Sequence, residues 1–128
     1  MLGSAAITTA ASAARNAVRL AIPTIDRVGT YNCRYVRGSS NWSQHAWGNA
    51  TDVFGDYATL SQARDFFVAN ASQYRVKNVI FDNRIWSSSS GWRTYTGTNP
   101  HVDHVHVDFD PIQQGDPPCA DSIVNRAV

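Results

Sequence analysis

The chain has no histidine outside two short segments, only two cysteines, little charge and no hydrophobic run of membrane length. Each absence narrows the reading. The most apolar stretch, residues 4–22, is alanine-rich and carries Arg15 and Arg19, so it does not supply the roughly 20 predominantly apolar residues that a bilayer span demands. It also lacks a basic leader before an apolar core, which argues against a signal peptide. No membrane insertion is expected. Charged residues make up 16% of the chain and the net charge is +1. Such balance sets up no long-range field to draw nucleic acid or anionic membrane, so neither is expected as a partner, and a monomer is expected. A neutral, carbohydrate-like or mixed-charge substrate suits it better.

The two cysteines, Cys33 and Cys119, do not form a CxxC pair, which argues against their holding a metal. They can join the C-terminal tail to the first strand region through a disulfide, given an oxidising compartment, or remain two buried thiols. Under the loop-entropy model a bridge of that span contributes roughly 4–5 kcal/mol. Repeats are absent. Sequons at Asn41, Asn49 and Asn70 read as chance matches, since a glycan on Asn49 would block the motif around it.

With 128 residues and 43% apolar content, the chain fits one globular domain. It divides into an N-terminal helical part (1–28), a core bearing the motifs (29–110) and a tail (111–128). Alanine spacing predicts a helix over 4–21, ended by Pro23; Ala5, Ala6, Ala10, Ala13, Ala14, Ala17, Val18 and Leu20 crowd its broad apolar face. Residues 29–36 are rich in strand formers, and 49–54 alternate as a strand. A second helix is predicted over 60–74, capped by Thr59 or Ser61, with Leu60, Ala63, Phe67, Ala71 and Tyr74 at helical spacing. Val76 to Phe81 reads as a buried strand, 87–100 as a Ser-, Gly- and Thr-rich loop, 104–109 as the last strand and 120–127 as a short helix. The expected class is α+β: two main helices on a small, mainly antiparallel sheet.

The four histidines lie in Ser43-Gln-His45-Ala-Trp-Gly48-Asn-Ala50-Thr-Asp52 and in His101-Val-Asp103-His104-Val-His106-Val-Asp108. Strand side chains alternate between faces. His104, His106 and Asp108 therefore share one face, toward a cleft, while Val105, Val107 and Phe109 face the core. Neighbouring neutral imidazoles directed at one point suit a divalent cation. The first segment adds His45 and Asp52, with the small Gly48 and Ala50 letting the backbone turn between them. Asp108, one pair further along the strand, is expected behind the ligands or facing solvent.

The spacing S-x-H-x-x-G-x-A-x-D followed by H-x-D-H-x-H resembles the D-alanyl-D-alanine carboxypeptidase family, within the lysostaphin/D-Ala-D-Ala/hedgehog metallopeptidases. The stretch Gly29-Thr-Tyr-Asn-Cys-Arg34 is similar to the approach to this motif in extensin-like and actinobacterial or phage cell-wall relatives. The resemblance covers roughly residues 29–110. It implies a hedgehog-like fold with zinc held by His45, Asp52 and His106. It also implies hydrolysis of a peptide bond in the stem or cross-bridge of peptidoglycan, and a lysin acting outside the cell or released to the cell wall. It makes Asp103 the general base, with His101 and His104 flanking the water and the developing oxyanion. On an ideal strand Asp103 would point away from both His104 and His106, so it requires a bend near Pro100; without one, His104 becomes the base. Arg34 or Arg37 would polarise the scissile carbonyl or hold a carboxylate, and Ser43 lies in the first motif. The loop from Trp86 to Pro100, with Trp92, Arg93 and Tyr95, would form the substrate rim. Trp42 and Trp47 read as core or cleft wall, or as stacking surfaces.

Two competing classes fit less well. A zinc-binding module without hydrolysis would keep the three ligands and lack Asp103, His101 and His104. A cupin-like oxygenase would place a histidine after His106, and a phosphodiesterase or nuclease would surround the metal with basic residues.

Overall fold

The computed structural model describes residues 8–36, 39–97 and 100–120. Two helices cover one face of a six-stranded antiparallel sheet, an α+β arrangement. Helix α1 spans Thr9–Ala21. The Thr8 hydroxyl caps it, accepting from the Ala11 N–H at 3.3 Å, and residues 4–7 of the expected helix lie outside the described residues. Ala11, Ala14 and Val18 are its buried residues, while Leu20 is 84% exposed. The inward stripe is thus narrower than the expected face and leaves Leu20 off it.

Strand β1 (Arg27–Gly29) is short. The strand expected over 29–36 does not form: Thr30 to Arg34 run irregularly, and Tyr35 makes a single bridge to Trp42. Their hydrogen bonds go to the next segment instead, from Asn32 N–H to the His45 carbonyl and from Ser43 N–H to the Arg34 carbonyl, both at 3.0 Å. A 3₁₀ turn follows at Gln44–Trp47, then β2 at Ala50–Phe54. Helix α2 runs Tyr57–Ala69 and a separate turn, α3, covers Ala71–Tyr74. Asp56, not Thr59 or Ser61, caps α2, its carboxylate accepting from Thr59 N–H at 2.8 Å. Thr59 itself is inside the helix and buried.

Strand β3 spans Val76–Phe81 and β6 spans His104–Phe109. Between them the expected loop is a hairpin, β4 (Arg84–Ser87) and β5 (Gly91–Thr94). Asp82 and Asn83 both take left-handed φ, at 54° and 64°, the conformation a two-residue hairpin turn requires. The Ser-Gly composition of 87–91 marks the turn of the next hairpin, where Trp86 pairs with Trp92. The helix expected over 120–127 lies almost wholly outside the described residues.

The sheet order is β1-β2-β6-β3-β4-β5. Val53, Val79, Phe81, Val105, Val107 and Phe109 project from one face and pack with Ala14, Val18, Leu60, Ala63 and Phe67 of the helices. The other face carries Asp52, His104, His106 and Asp108. Burying the first set fixes the register, and the register fixes the second set. Asp52 is paired directly with His106, Phe54 with His104 and Ala50 with Asp108. Cys33 and Cys119 form a disulfide that ties the 30–36 segment to the tail.

Candidate metal centre

His45 sits on the 3₁₀ turn. Ser43 begins that turn, its hydroxyl accepting from the His45 N–H at 3.2 Å. Gly48 ends it in the left-handed region, φ 64°, where a residue with a Cβ is disfavoured. The chain then enters β2, which presents Asp52 beside His106 of β6. Three side chains converge: His45 Nε2 lies 3.0 Å from Asp52 Oδ2 and 3.3 Å from His106 Nδ1, and His106 Nδ1 lies 3.1 Å from Asp52 Oδ1. Four ligands at tetrahedral angles, each about 2.0–2.1 Å from a metal, stand about 3.3 Å apart. The triangle has that size. His45, Asp52 and His106 can therefore hold one metal ion.

The outward nitrogen of each ring is also engaged. His45 Nδ1 meets the Thr30 carbonyl at 3.2 Å, and His106 Nε2 meets Asp108 Oδ1 at 2.7 Å. Asn78 donates to the other Asp108 oxygen at 3.3 Å. Rings whose far N–H is held in this way turn their lone pairs toward a shared point.

Without a cation the charge is balanced by protons. Burial opposes a charge on His106, yet the Asp108 and Asp52 carboxylates overcome it and push its pKa up to about 10. Burial likewise disfavours ionised Asp52, but hydrogen bonds from His106 and His45 hold its carboxyl well below the usual range. Asp108 is held low by His106 and Asn78 against the same burial. A metal ion entering here must displace the His106 proton.

His104 is the next group out. Its Nε2 is 3.7 Å from Asp52 Oδ1, too far for a hydrogen bond, and its ring stacks on Phe54. The chain bends at Val102-Asp103, as the sequence required, but the bend does not bring Asp103 to the triangle. Its side chain is 79% exposed, and its carboxylate accepts from His104 Nδ1 at 2.7 Å. That hydrogen bond lowers the Asp103 pKa. His101 is buried with φ 57°, its ring centroid 4.7 Å from that of His104 and 5.4 Å from that of His106. The turn between β3 and β4 supports this bend, because Asp82 N–H donates to the His101 carbonyl at 2.9 Å.

A cavity of about 700 Å³ opens beside the triangle, bordered by His101, His106, Arg34, Trp42, Ser43 and Tyr95. Burial, with the Asp108 charge, raises the Tyr95 pKa. Arg34 is thus at the site, whereas Arg37 lies outside the described residues. Ser43 borders the cavity, but its oxygen is already engaged as the cap of the His45 turn. Trp92 is not at the site. It lines a second cavity of about 300 Å³ with Arg64, Phe81 and Arg84, its ring under the Arg84 guanidinium. The hairpin draws it there, because pairing with Trp86 turns β5 away from β6. Asn49, buried and donating to Gln44 and to the Phe109 and Pro111 carbonyls, was not foreseen as a support; only its place between Gly48 and Ala50 signalled it.

The fold and site define a small α+β domain with a metal-competent His-Asp-His triangle on the open face of its sheet. Residues 3–106 match the family described as VldE, C-terminal domain, and the chain belongs to that family. All three triangle residues fall inside the match. No curated protein and no solved structure matches the chain.

Proposed function

We propose that the chain is a zinc-dependent peptidase that hydrolyses a peptide bond in the stem or cross-bridge of peptidoglycan, as the catalytic domain of a cell-wall lysin. The observation that carries this reading is the two-imidazole, one-carboxylate triangle with a third imidazole, His104, beside it. Two histidines and one carboxylate with an open fourth position is the usual make-up of a catalytic zinc site. The paired motifs resemble those of D-alanyl-D-alanine carboxypeptidases, which supplies the substrate class. The family description names a domain and no reaction. The disulfide suits an oxidising location outside the cytoplasm.

His45, Asp52 and His106 would hold the zinc ion, which when bound would supply Lewis acidity toward a carbonyl and water near neutral pH. His104 faces the triangle through Nε2 and is held through Nδ1 by Asp103, so His104 would take the proton of the attacking water and pass it to the leaving amine, with Asp103 orienting the ring. Asp103 thereby acts through His104 instead of serving as the base itself. His101, its ring tilted against that of His104, would stabilise the negative charge that develops on the carbonyl oxygen.

The test is turbidity loss of purified peptidoglycan with zinc-loaded protein, with and without chelator, followed by mass analysis of the fragments. Chelator-sensitive clearing with new amino termini is expected. Stem peptides left intact after prolonged incubation would rule the peptidase out.

A further inference from the structure

The cavity beside the triangle has an aromatic shelf that the hydrolytic chemistry does not use. Tyr35 and Trp42 pair across a single bridge, their ring centroids 4.4 Å apart and tilted by 36°. The Trp42 indole N–H donates to Asp116 Oδ1 at 3.2 Å, so Trp42 offers a ligand its face and not its donor. Tyr35 is 39% exposed. Beside them, the Arg34 guanidinium donates to the Tyr35 carbonyl at 3.2 Å. The Asn32 amide has no side-chain hydrogen bond among the described residues. Both border the same cavity as His101 and His106.

The shelf is fixed before any ligand arrives. The Cys33–Cys119 disulfide and the Trp42–Asp116 bond join it to the tail from two sides. Such preorganisation lowers the ordering cost of binding. An apolar ligand would leave Arg34 and Asn32 desolvated without partners, which is unfavourable. An extended peptide is held mainly by pairing along a strand edge, and the described residues of the 30–43 wall form no ladder edge. A ring with one C–H face and a rim of hydroxyl and acetamido groups satisfies both the aromatic face and the free planar donors.

We propose that Tyr35 and Trp42, with Arg34 and Asn32, form a saccharide subsite that seats a pyranose ring of a neutral amino-sugar strand beside the metal-facing end of the cavity. It rests on the peptidase reading for the source of the sugar, since a stem peptide hangs from such a strand, but its binding is measured without cleavage. The probe is the peptide-free β-1,4-linked tetramer of N-acetylglucosamine, titrated into the disulfide-bonded full chain by calorimetry and tryptophan fluorescence. Saturable binding is expected, weakened about tenfold or more by Tyr35→Ala. Tyr35 is exposed, so that variant should keep the fold, and an unchanged circular dichroism spectrum checks it. Trp42→Phe should keep most of the binding. Trp92→Ala and Asp52→Asn should keep all of it, the latter while losing metal. Absence of saturable binding would overturn the subsite. So would equal loss in Trp92→Ala, or displacement from the Tyr35-dependent site by a sugar-free stem peptide. Uncut stem peptides with intact sugar binding would instead count against the peptidase alone.

Discussion

At the scale of single residues, the site is a problem of competing cations. Asp52 and Asp108 flank His106 and charge it when no metal is present. The sign of the pH dependence follows. A raised His106 pKa adds stability that is complete below the unfolded value of 6.5 and is lost as pH climbs through about 10. The lowered Asp52 and Asp108 pKa values add stability that is present above 3.8 and lost as pH falls through their folded values. Chelator-treated protein should therefore melt highest between those limits, and its melting temperature should fall from neutral to alkaline pH. A flat or rising profile over that range would contradict the buried His106 charge. Asp108→Asn removes the acceptor that turns His106 toward the triangle, so zinc affinity should drop about 10–100-fold by competition with a chromophoric chelator. An unchanged affinity would mean Asp108 does not orient the ring. The convergence of His45, Asp52 and His106 was legible in the sequence because two short motifs contained every histidine. The position of Asp103 was not, because a bend decides whether a residue joins the alternation of the strand it precedes.

At the scale of elements, continuous apolar runs were the clearest signal. Val76–Phe81 and His104–Phe109 appear with the bounds their patterns imply, since β3 and β6 pack against the helices along one face. The 84–94 hairpin was hidden because Ser-, Gly- and Thr-rich composition describes a turn and a loop equally, and its strands are specified by pairing, β4 with β3 and β5 with β4, which composition does not reveal. The same holds for 29–36, whose strand-forming residues are diverted by the disulfide and by hydrogen bonds to the His45 turn. That turn is itself an element with a sharp requirement. Gly48→Ala forces a left-handed φ on a residue with a Cβ, which should cost about 1 kcal/mol in denaturant melts. Because the strain falls three residues after His45, zinc affinity should drop with it. A variant as stable as the parent would show that the turn relaxes freely.

For the whole molecule, sheet order brings together residues distant in sequence. The last strand among the described residues, β6, lies at the centre between β2 and β3. Asp52 and His106 thereby become direct partners although 54 positions separate them. Nothing local announces that order; it follows from burying the valines of β6 on both sides of its core face. The disulfide acts at the same scale, closing a loop of 86 positions. Cys33→Ser with Cys119→Ser, or reduction, should lower stability by roughly 4–5 kcal/mol in the loop-entropy picture. The zinc affinity of whatever remains folded should change far less, because β2 and β6 carry two of the three ligands. Loss of metal binding in step with the bridge would place the tail inside the metal site.

The shared triangle is tested most directly by titrating zinc into chelator-stripped protein by calorimetry, in buffers of different ionisation enthalpy. One equivalent should bind with release of a proton, raise the melting temperature, and be abolished by Asp52→Asn and by His106→Ala alike. Zinc that does not bind stoichiometrically, or that binds equally well to both variants, would show that His45, Asp52 and His106 do not act as one centre.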